Sequence, residues 1–353
     1  MKDIEDSKNG QRVQFGAGIR RSARDELGQL GARRALVLST PHQAHMAMEL
    51  ATDLGERAAG IFTMAAMHTP VSVTQDALAH AEAVGADSVV AVGGGSTIGL
   101  GKALALRTDM PQIAVPTTYA GSEATPILGQ TEDGVKTTLT DAKVLPDVIL
   151  YDPELVASLP RGLTVTSSLN AMAHAAEALY AQERSRDSDG LAVEGLEAFV
   201  TGLPGVIADL GDLEAREATL RGAWACGTVL GRVGMALHHK LCHVVGGSFD
   251  LPHAETHAII LPHAIQYNAV AVPEQMAPIV DLLGGEEPGV ALWEFAKRLS
   301  APLALKDLGF EEDDIDTAVE IALRKPYWNP REITKDGLRG VLRNAWAGHR
   351  PGT

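Results

Sequence analysis

The chain is poor in several things, and each scarcity excludes a class of protein. It holds two cysteines in 353 residues, Cys226 and Cys242. Two cysteines make no disulfide framework, so the fold rests on packing and hydrogen bonds, as expected in a reducing cytoplasm. Aromatic side chains are only 4% of the residues while glycine occurs 36 times, so the core is built from small and aliphatic groups. Basic residues are in deficit, with 30 Lys and Arg against 45 Asp and Glu and a net charge of −15. A chain of that sign is repelled by a phosphate backbone, which argues against nucleic acid as a partner. An anionic substrate would need locally gathered His, Lys or Arg. No apolar run reaches the roughly 20 residues of a membrane span. The stretch Met1 to Gln11 is polar and charged, without the apolar centre of a secretion signal. A cytoplasmic protein with no membrane partner is the expectation.

What is present divides the chain in two. A length of 353 residues suggests two domains. Up to about Pro160, short apolar strands alternate with helical stretches. Arg12 to Phe15, Ala35 to Leu38, Ile61 to Met64, Ser88 to Val92 and Gln112 to Val115 read as strands. Ala23 to Leu30, Val73 to Val84 and Ile98 to Leu106 read as helices. That alternation predicts a parallel α/β sheet over residues 1–160. The Asp133-Gly134 pair within Thr131 to Thr138 predicts an inserted hairpin. Beyond Pro160 the period turns helical, over Ser167 to Glu183, Leu191 to Leu203, Glu214 to Gly231, Glu274 to Leu283, Ala291 to Leu299, Asp314 to Arg324 and Lys335 to Ala347. Residues 161–353 are expected to be all-helical, and a cleft between two such domains is a common ligand site.

Two loops at strand ends carry binding chemistry. Gly93-Gly94-Gly95-Ser96-Thr97 follows a strand and opens a helical run. Glycines there let the backbone approach a phosphate, and the helix N-terminus favours its charge. Ser96 or Thr97 can cap the helix or donate to the phosphate. Three glycines alone fit a tight strand-to-helix turn equally well. Pro116-Thr117-Thr118-Tyr119-Ala120-Gly121-Ser122-Glu123 follows the next strand. Loops that end adjacent parallel strands lie together at the carboxyl edge, where such sheets bind ligands. Thr117, Thr118, Tyr119 and Ser122 offer hydroxyls suited to a pyrophosphate or a ribose.

The helical half gathers histidines. His174 follows Asn170 by four residues, and His243 follows His239 by four, so each pair shares a helix face. His253 comes ten residues later behind Pro252, and His238, His257 and His263 lie nearby. Any one of these can be a satisfied core histidine, which is the preferred reading for His238 and His257. Taken together, the set suits metal ligation or proton transfer, and chemistry alone leaves the choice open.

These motifs resemble, in order and over most of the chain, those of the iron-containing alcohol dehydrogenase superfamily. Gly93 to Lys102 is similar to its glycine signature, G-G-G-S-x-x-D-x-A-K. His239-x-x-x-His243, Gly247 and Pro252-His253 resemble its metal and active-site signature, and Asn170-x-x-x-His174 stands where it has Asp-x-x-x-His. Two departures matter. Gly99 replaces the aspartate of the glycine signature, and Asn170 replaces the first metal ligand. With Pro116 to Leu128 and Tyr327-Trp328-Asn329-Pro330-Arg331, these departures resemble the maleylacetate reductases. The resemblance implies a Rossmann-like N-terminal domain and a helical C-terminal one, NADH or NADPH as cofactor, and a homodimer. It also implies reduction of the carbon–carbon double bond of maleylacetate, a small dicarboxylate.

The substitutions suit that chemistry. An alkoxide calls for a Lewis acid, whereas an enolate can be stabilised by imidazoles and hydroxyls. A carboxylate at position 170 would repel a dianionic substrate, and Asn170 removes that charge. By motif position His174, His239 and His253 correspond to the superfamily ligands and His243 to its additional histidine. The expectation is a site needing no metal, with His243 as proton donor or oxyanion stabiliser and His174, His239, His253, Asn170 and Tyr327 around the substrate. Gly93, Gly94, Gly95, Ser96, Thr97, Thr117, Thr118, Tyr119, Ser122 and Thr40 are expected at the cofactor. Lys136, Lys143 and Arg331 are further cations, each more simply read as solvated surface charge. The rival enzyme reading is a metal-dependent alcohol or polyol dehydrogenase, since three imidazoles alone can hold zinc. A lyase resembling dehydroquinate synthase would keep the acidic site that Asn170 removes. A nucleotide-binding sensor would need a second module that the sequence does not show.

Overall fold

A computed structural model describes residues 4–6, by backbone alone, and residues 10–352. Met1–Asp3 and Ser7–Asn9, part of the stretch read above for a secretion signal, lie outside the described residues, as does Thr353. The chain forms two compact units. One runs to Leu159 and takes in Gly211–Leu220, and the other holds Pro160–Leu210 and everything from Arg221 on.

The first unit is built on strands β1 (Ile4–Asp6), β2 (Gln11–Phe15), β3 (Ala35–Leu38), β4 (Ala58–Phe62), β5 (Ser88–Gly93), β6 (Gln112–Pro116), β7 (Ile127–Glu132), β8 (Val135–Thr140) and β9 (Val148–Tyr151). Helices α1 (Ala23–Gln29), α2 (Ala44–Leu54), α3 (Val71–Val84), α4 (Gly95–Thr108) and α5 (Pro153–Val156) alternate with them. The seven-stranded sheet has the order β1-β2-β9-β6-β5-β3-β4. It is parallel except for β1, which pairs antiparallel to β2. Val37, Val90, Val92, Ile113, Val115, Val148 and Leu150 pack with Leu27, Leu50 and Leu54 in one core. The expected strand at Ile61–Met64 lies earlier, at Ala58–Phe62. The strand Val148–Tyr151 was not anticipated, yet it stands between β2 and β6, mid-sheet. All four of its residues are buried, so it shows a short apolar run with no alternation to read. The inserted hairpin is present. Asp133 and Gly134 turn between β7 and β8 with φ of 48° and 76°, the left-handed pair that a two-residue hairpin requires.

The second unit is helical, with α6 (Arg161–Ala178), α7 (Arg186–Ala208), the part of α8 (Leu213–Leu230) from Arg221 on, α9 (Leu237–Ser248), α10 (His253–Ala269), α11 (Pro273–Leu283), α12 (Pro288–Arg298), α13 (Asp314–Leu323) and α14 (Lys335–Ala347). Helix α10 escaped the periodic reading for a reason. Every residue from Thr256 to Ala269 is buried, so there is no polar face, and Pro262 sits inside the run. Helix α7 reaches 23 residues and is long and apolar enough to cross a membrane by length and composition. Exposed Glu194 and Glu197 interrupt it, and Ala192, Gly195, Leu196, Phe199, Gly202, Leu203 and Val206 are buried at helical spacing. That is the stripe of a helix packed on one side.

Lys102 ties the second binding loop to α4. Its side chain is fully buried, and its ammonium donates to the carbonyls of Ser122, Thr125 and Ile127 at 2.5, 2.7 and 2.8 Å. Burial pulls the Lys102 pKa down to about 7, against the charge of buried Glu123, which accepts from the Tyr151 hydroxyl at 2.8 Å. Replacing Lys102 by Met strands these buried acceptors and removes the positive charge that favours the Glu123 carboxylate. We expect Lys102→Met to lower the unfolding free energy by about 3 kcal/mol or more, the scale of breaking a buried charged network. Urea unfolding followed by circular dichroism measures this, and a loss below about 0.5 kcal/mol would be that of an unimportant surface group.

Candidate active site

The two loops of the first unit meet as neighbours. Strands β5 and β6 are paired, and the Thr117 amide donates to the Gly93 carbonyl at 3.1 Å. Helix α4 begins at Gly95 with Gly94 as its N-cap and no side-chain cap, so Ser96 and Thr97 lie inside the first turn rather than capping it. A Cβ at Gly93 would come within 2.3 Å of Thr97 Oγ1, and one at Gly94 within 3.0 Å of Thr118 Cγ2. A side chain at Gly93 would force a shift and one at Gly94 would be tightly crowded, while Gly95 is exposed with open space around it. Bare backbone at a helix N-terminus fits a phosphate group. Gln43, which the motif reading did not single out, joins the loops. Its amide donates to Thr117 Oγ1 at 2.7 Å, and its carbonyl oxygen accepts from Thr40 Oγ1 at 3.3 Å. Ser122 is half-buried, with its carbonyl held by Lys102. Tyr119 is placed differently from the expectation. It is fully buried, and its hydroxyl is met by Arg216 at 3.1 Å and Thr219 at 3.0 Å. This makes it an internal support of the loop rather than a hydroxyl offered to a ligand.

Gly99, in place of the superfamily aspartate, has a structural counterpart. A Cβ there would lie 2.4 Å from Thr69 Oγ1. Thr69 and His68 both hold left-handed backbone, with φ of 48° and 63°. The space a side chain at 99 would enter is already taken.

In the second unit three helices each contribute an i,i+4 pair to one cluster. Helix α6 carries Asn170 and His174, α9 carries His239 and His243, and α10 carries His253 and His257. The His174 and His239 rings stack with centroids 5.1 Å apart, and His253 lies 4.2 Å from His257. His243 is 6.1 Å from His239 and 6.4 Å from His257. The cluster is layered. His243 and His253 are exposed, Asn170, His174 and His239 are buried behind them, and His238 and His257 are fully enclosed. His238 and His257, read from the sequence as separate core residues, thus belong to the cluster, and their rings meet at 3.1 Å between Nε2 and Nδ1. His263 lies ten residues along α10 from His253, about 15 Å at the helical rise, and takes no part. Burial, reinforced by the neighbouring imidazoles, lowers the pKa of His174 and His257 well below the usual histidine value and that of His238 to about 3. These rings are neutral at physiological pH.

Glu177 organises this arrangement, and the motif reading passed over it. It lies one turn beyond His174 on α6 and is fully buried. It accepts from the amides of Ala236 at 3.1 Å and His238 at 2.9 Å, at the N-terminus of α9. It also accepts from the Tyr180 hydroxyl at 2.9 Å and meets His239 Nδ1 at 2.6 Å. Burial alone would raise its pKa. The hydrogen bond with His239, helped by the Ala236 amide, outweighs that and brings it to about 2. A carboxylate can only accept, so His239 Nδ1 carries a hydrogen and the ring presents Nε2. That atom is buried without a partner, as are Asn170 Oδ1, His174 Nδ1 and His257 Nε2.

The donor set of the cluster is mostly imidazole. At the superfamily positions it offers three imidazoles and a neutral amide, with no carboxylate to offset a dication. The nearest carboxylate, Glu177, is occupied by helix amides and His239. Among the described residues the donors that gather within 4.8 Å are a different trio, His238, Cys242 and His257. There burial and the Glu177 charge push the Cys242 thiol pKa well up, so it is no thiolate.

Of the expected cations, Lys136 is exposed on β8, and Lys143 pairs with Asp109 at 2.7 Å. Arg331 donates to the Tyr267 carbonyl at 2.8 Å and lies over that ring. Tyr327 is half-buried beside the core of the second unit. Its hydroxyl is buried without a partner, and its pKa is pushed up by burial and the Glu177 charge.

Known proteins share this architecture. The iron-containing alcohol dehydrogenase family matches residues 10–153, and the C-terminal part of the Fe-containing alcohol dehydrogenase family matches residues 164–346. Maleylacetate reductase from Rhizobium sp. (strain MTP-10005) is 57% identical over 340 residues, 96% of this chain and 97% of that one. Its counterpart from Sphingobium indicum is 51% identical over 96% of each chain. The crystal structure of maleylacetate reductase from Agrobacterium tumefaciens superposes with a TM-score of 0.95 at 55% identity, covering 97% of both chains. An iron-containing alcohol dehydrogenase from Corynebacterium glutamicum gives 0.91 at 38%, covering 95% of this chain and 94% of that one. Identity of this extent along nearly the whole length, with both halves of the fold matched, shows that the chain belongs to the iron-containing alcohol dehydrogenase family, among its maleylacetate reductases.

Proposed function

We propose that the chain reduces the carbon–carbon double bond of maleylacetate to 3-oxoadipate with NADH or NADPH, a step in the breakdown of aromatic compounds. The observation that carries this reading is the 57% identity over 96% of the chain to a maleylacetate reductase. The site chemistry agrees with it. The glycine turn with its bare helix N-terminus suits the pyrophosphate of a dinucleotide. A bound nicotinamide supplies the hydride, which adds to the alkene carbon β to the ketone. The π electrons then move onto the ketone oxygen as an enolate, and a proton added at the α carbon restores the ketone. His243, exposed at the outer layer of the cluster, donates an imidazole N–H to that oxygen or a proton to the α carbon. His253, His174 and His239 orient the carboxylates, and Asn170 keeps position 170 uncharged. The base test is spectrophotometric, following loss of NADH absorbance with maleylacetate and formation of 3-oxoadipate.

His243→Ala should lower kcat about a hundredfold or more, the scale of removing one oxyanion donor, and leave the KM for NADH nearly unchanged. Near-normal turnover would return His243 to a structural role.

No carboxylate follows β3 in Ser39-Thr40-Pro41-His42 to grip a ribose 2′-hydroxyl and repel a 2′-phosphate. Both NADH and NADPH should therefore support turnover. A preference for NADH above about a thousandfold, ~4 kcal/mol, would contradict this.

We also propose that catalysis needs no metal, because the amide of Asn170 replaces the ligand whose charge would offset one. Protein stripped with a strong chelator and shown metal-free by elemental analysis should keep most of its maleylacetate reduction. Asn170→Asp should bind zinc more tightly and turn over more slowly. Activity abolished by stripping and restored by iron or zinc would reassign His174, His239 and His253 as ligands.

A further inference from the structure

The reading of the substrate as a dicarboxylate leaves a gap. It carries two negative charges into an acidic chain, yet Lys136, Lys143 and Arg331 are placed elsewhere or already engaged. One ammonium in the second unit is differently situated. Lys240 lies on α9 between His239 and His243, about 60° around the helix from His243. It is half-buried, and its ammonium lies over the face of the Tyr327 ring, 5.4 Å from Nζ to the centroid. Among the described residues no carboxylate pairs with it. Elsewhere in this unit Arg184 pairs with Asp189, Arg339 with Asp316 and Lys335 with Glu320. A cation–π contact leaves the ammonium's three N–H donors uncommitted.

Tyr327 brings a second, independent observation. Its hydroxyl is buried and has no partner, an unfavourable condition unless something else satisfies it. The segment that carries it is rigidly held. Asn329 and Asn268 exchange amide hydrogen bonds at 2.7 and 2.9 Å, and Arg331 is fastened to the Tyr267 carbonyl. Burial and the Glu177 charge disfavour the phenolate, so the group stays an O–H donor. An ammonium over the face of a phenol ring whose own hydroxyl lacks a partner places two donors without an acceptor on neighbouring groups, a setting for one acceptor-rich anion.

We propose that Lys240 and Tyr327 form the subsite for one carboxylate of the dicarboxylate substrate, the ammonium donating to one oxygen and the phenol O–H to the carboxylate. This pair confers specificity for the dianion, while the histidines meet the other carboxylate and the enone. The proposal rests on the substrate reading above.

The test uses the full-length enzyme and two readouts. In steady-state kinetics, Lys240→Gln should raise the KM for maleylacetate about tenfold or more, the scale of losing one charge-assisted hydrogen bond. The KM for NADH should change less than about twofold, an indifference expected of a group that does not touch the cofactor. Lys240→Arg should recover most of the loss, and Tyr327→Phe, which keeps the ring, should raise the KM severalfold. The wild-type KM should also rise more steeply with salt than that of Lys240→Gln, since the removed interaction is the screened one. The second readout is calorimetric binding of 3-oxoadipate, which needs no turnover. Weaker binding in both variants is expected. Unchanged 3-oxoadipate binding and KM in folded Lys240→Gln and Tyr327→Phe would overturn the subsite. A wild type that binds 3-oxoadipate through Lys240 but does not reduce maleylacetate would overturn the reaction and leave the subsite standing. A wild type that does neither would overturn both.

Discussion

The second unit is organised by a single buried charge. Glu177 sits with no exposure at the N-terminus of α9, where unpaired helix amides and the positive end of the helix dipole favour an anion. The same carboxylate fixes which nitrogen of His239 bears the hydrogen, and so which nitrogen faces the site. Starting point, direction and histidine tautomer of α9 thus depend on one group donated by α6. His239, Lys240 and His243 all follow from where that helix begins.

Around this anchor the imidazoles grade from enclosed to exposed, and the gradient separates support from chemistry. The deep pair, His238 and His257, hydrogen-bond to each other and are neutral because burial disfavours charge. The middle layer presents uncompensated polar atoms on Asn170, His174 and His239. The outer His243 and His253 are the ones a solute can reach. Among the described residues, the carboxylate that touches this set, Glu177, is committed to the amides of a helix end and to His239.

In the first unit the equivalent constraint is close approach. Gly93, Gly94 and Gly99 are each pressed by a threonine side chain, of Thr97, Thr118 and Thr69 respectively. Lys102, from inside α4, holds the facing loop by its carbonyls. At position 99 the Thr69 hydroxyl already occupies the place a side chain would enter.

Much was legible from the sequence because it is local. The alternation of strands with helices before Pro160, the Asp133-Gly134 hairpin turn, the glycine turn and the i,i+4 histidine pairs all express periods and backbone preferences within a few residues. What was illegible depended on partners far along the chain. Strand β9 and helix α10 are buried on all sides, so neither shows a contrast between faces. Tyr119 reads as a loop hydroxyl until Arg216, 97 residues on, is found beside it. Glu177, His238 and His257 looked like ordinary residues of apolar helices, because the meeting of α6, α9 and α10 is what makes them a cluster. The sequence by itself determined the two fold classes, the glycine loop and the placing of Asn170 one turn before His174, since each is written in residue type and spacing. Only the tertiary structure decided which polar groups satisfy one another and which remain without a partner, because that depends on distances between helices that no local pattern encodes.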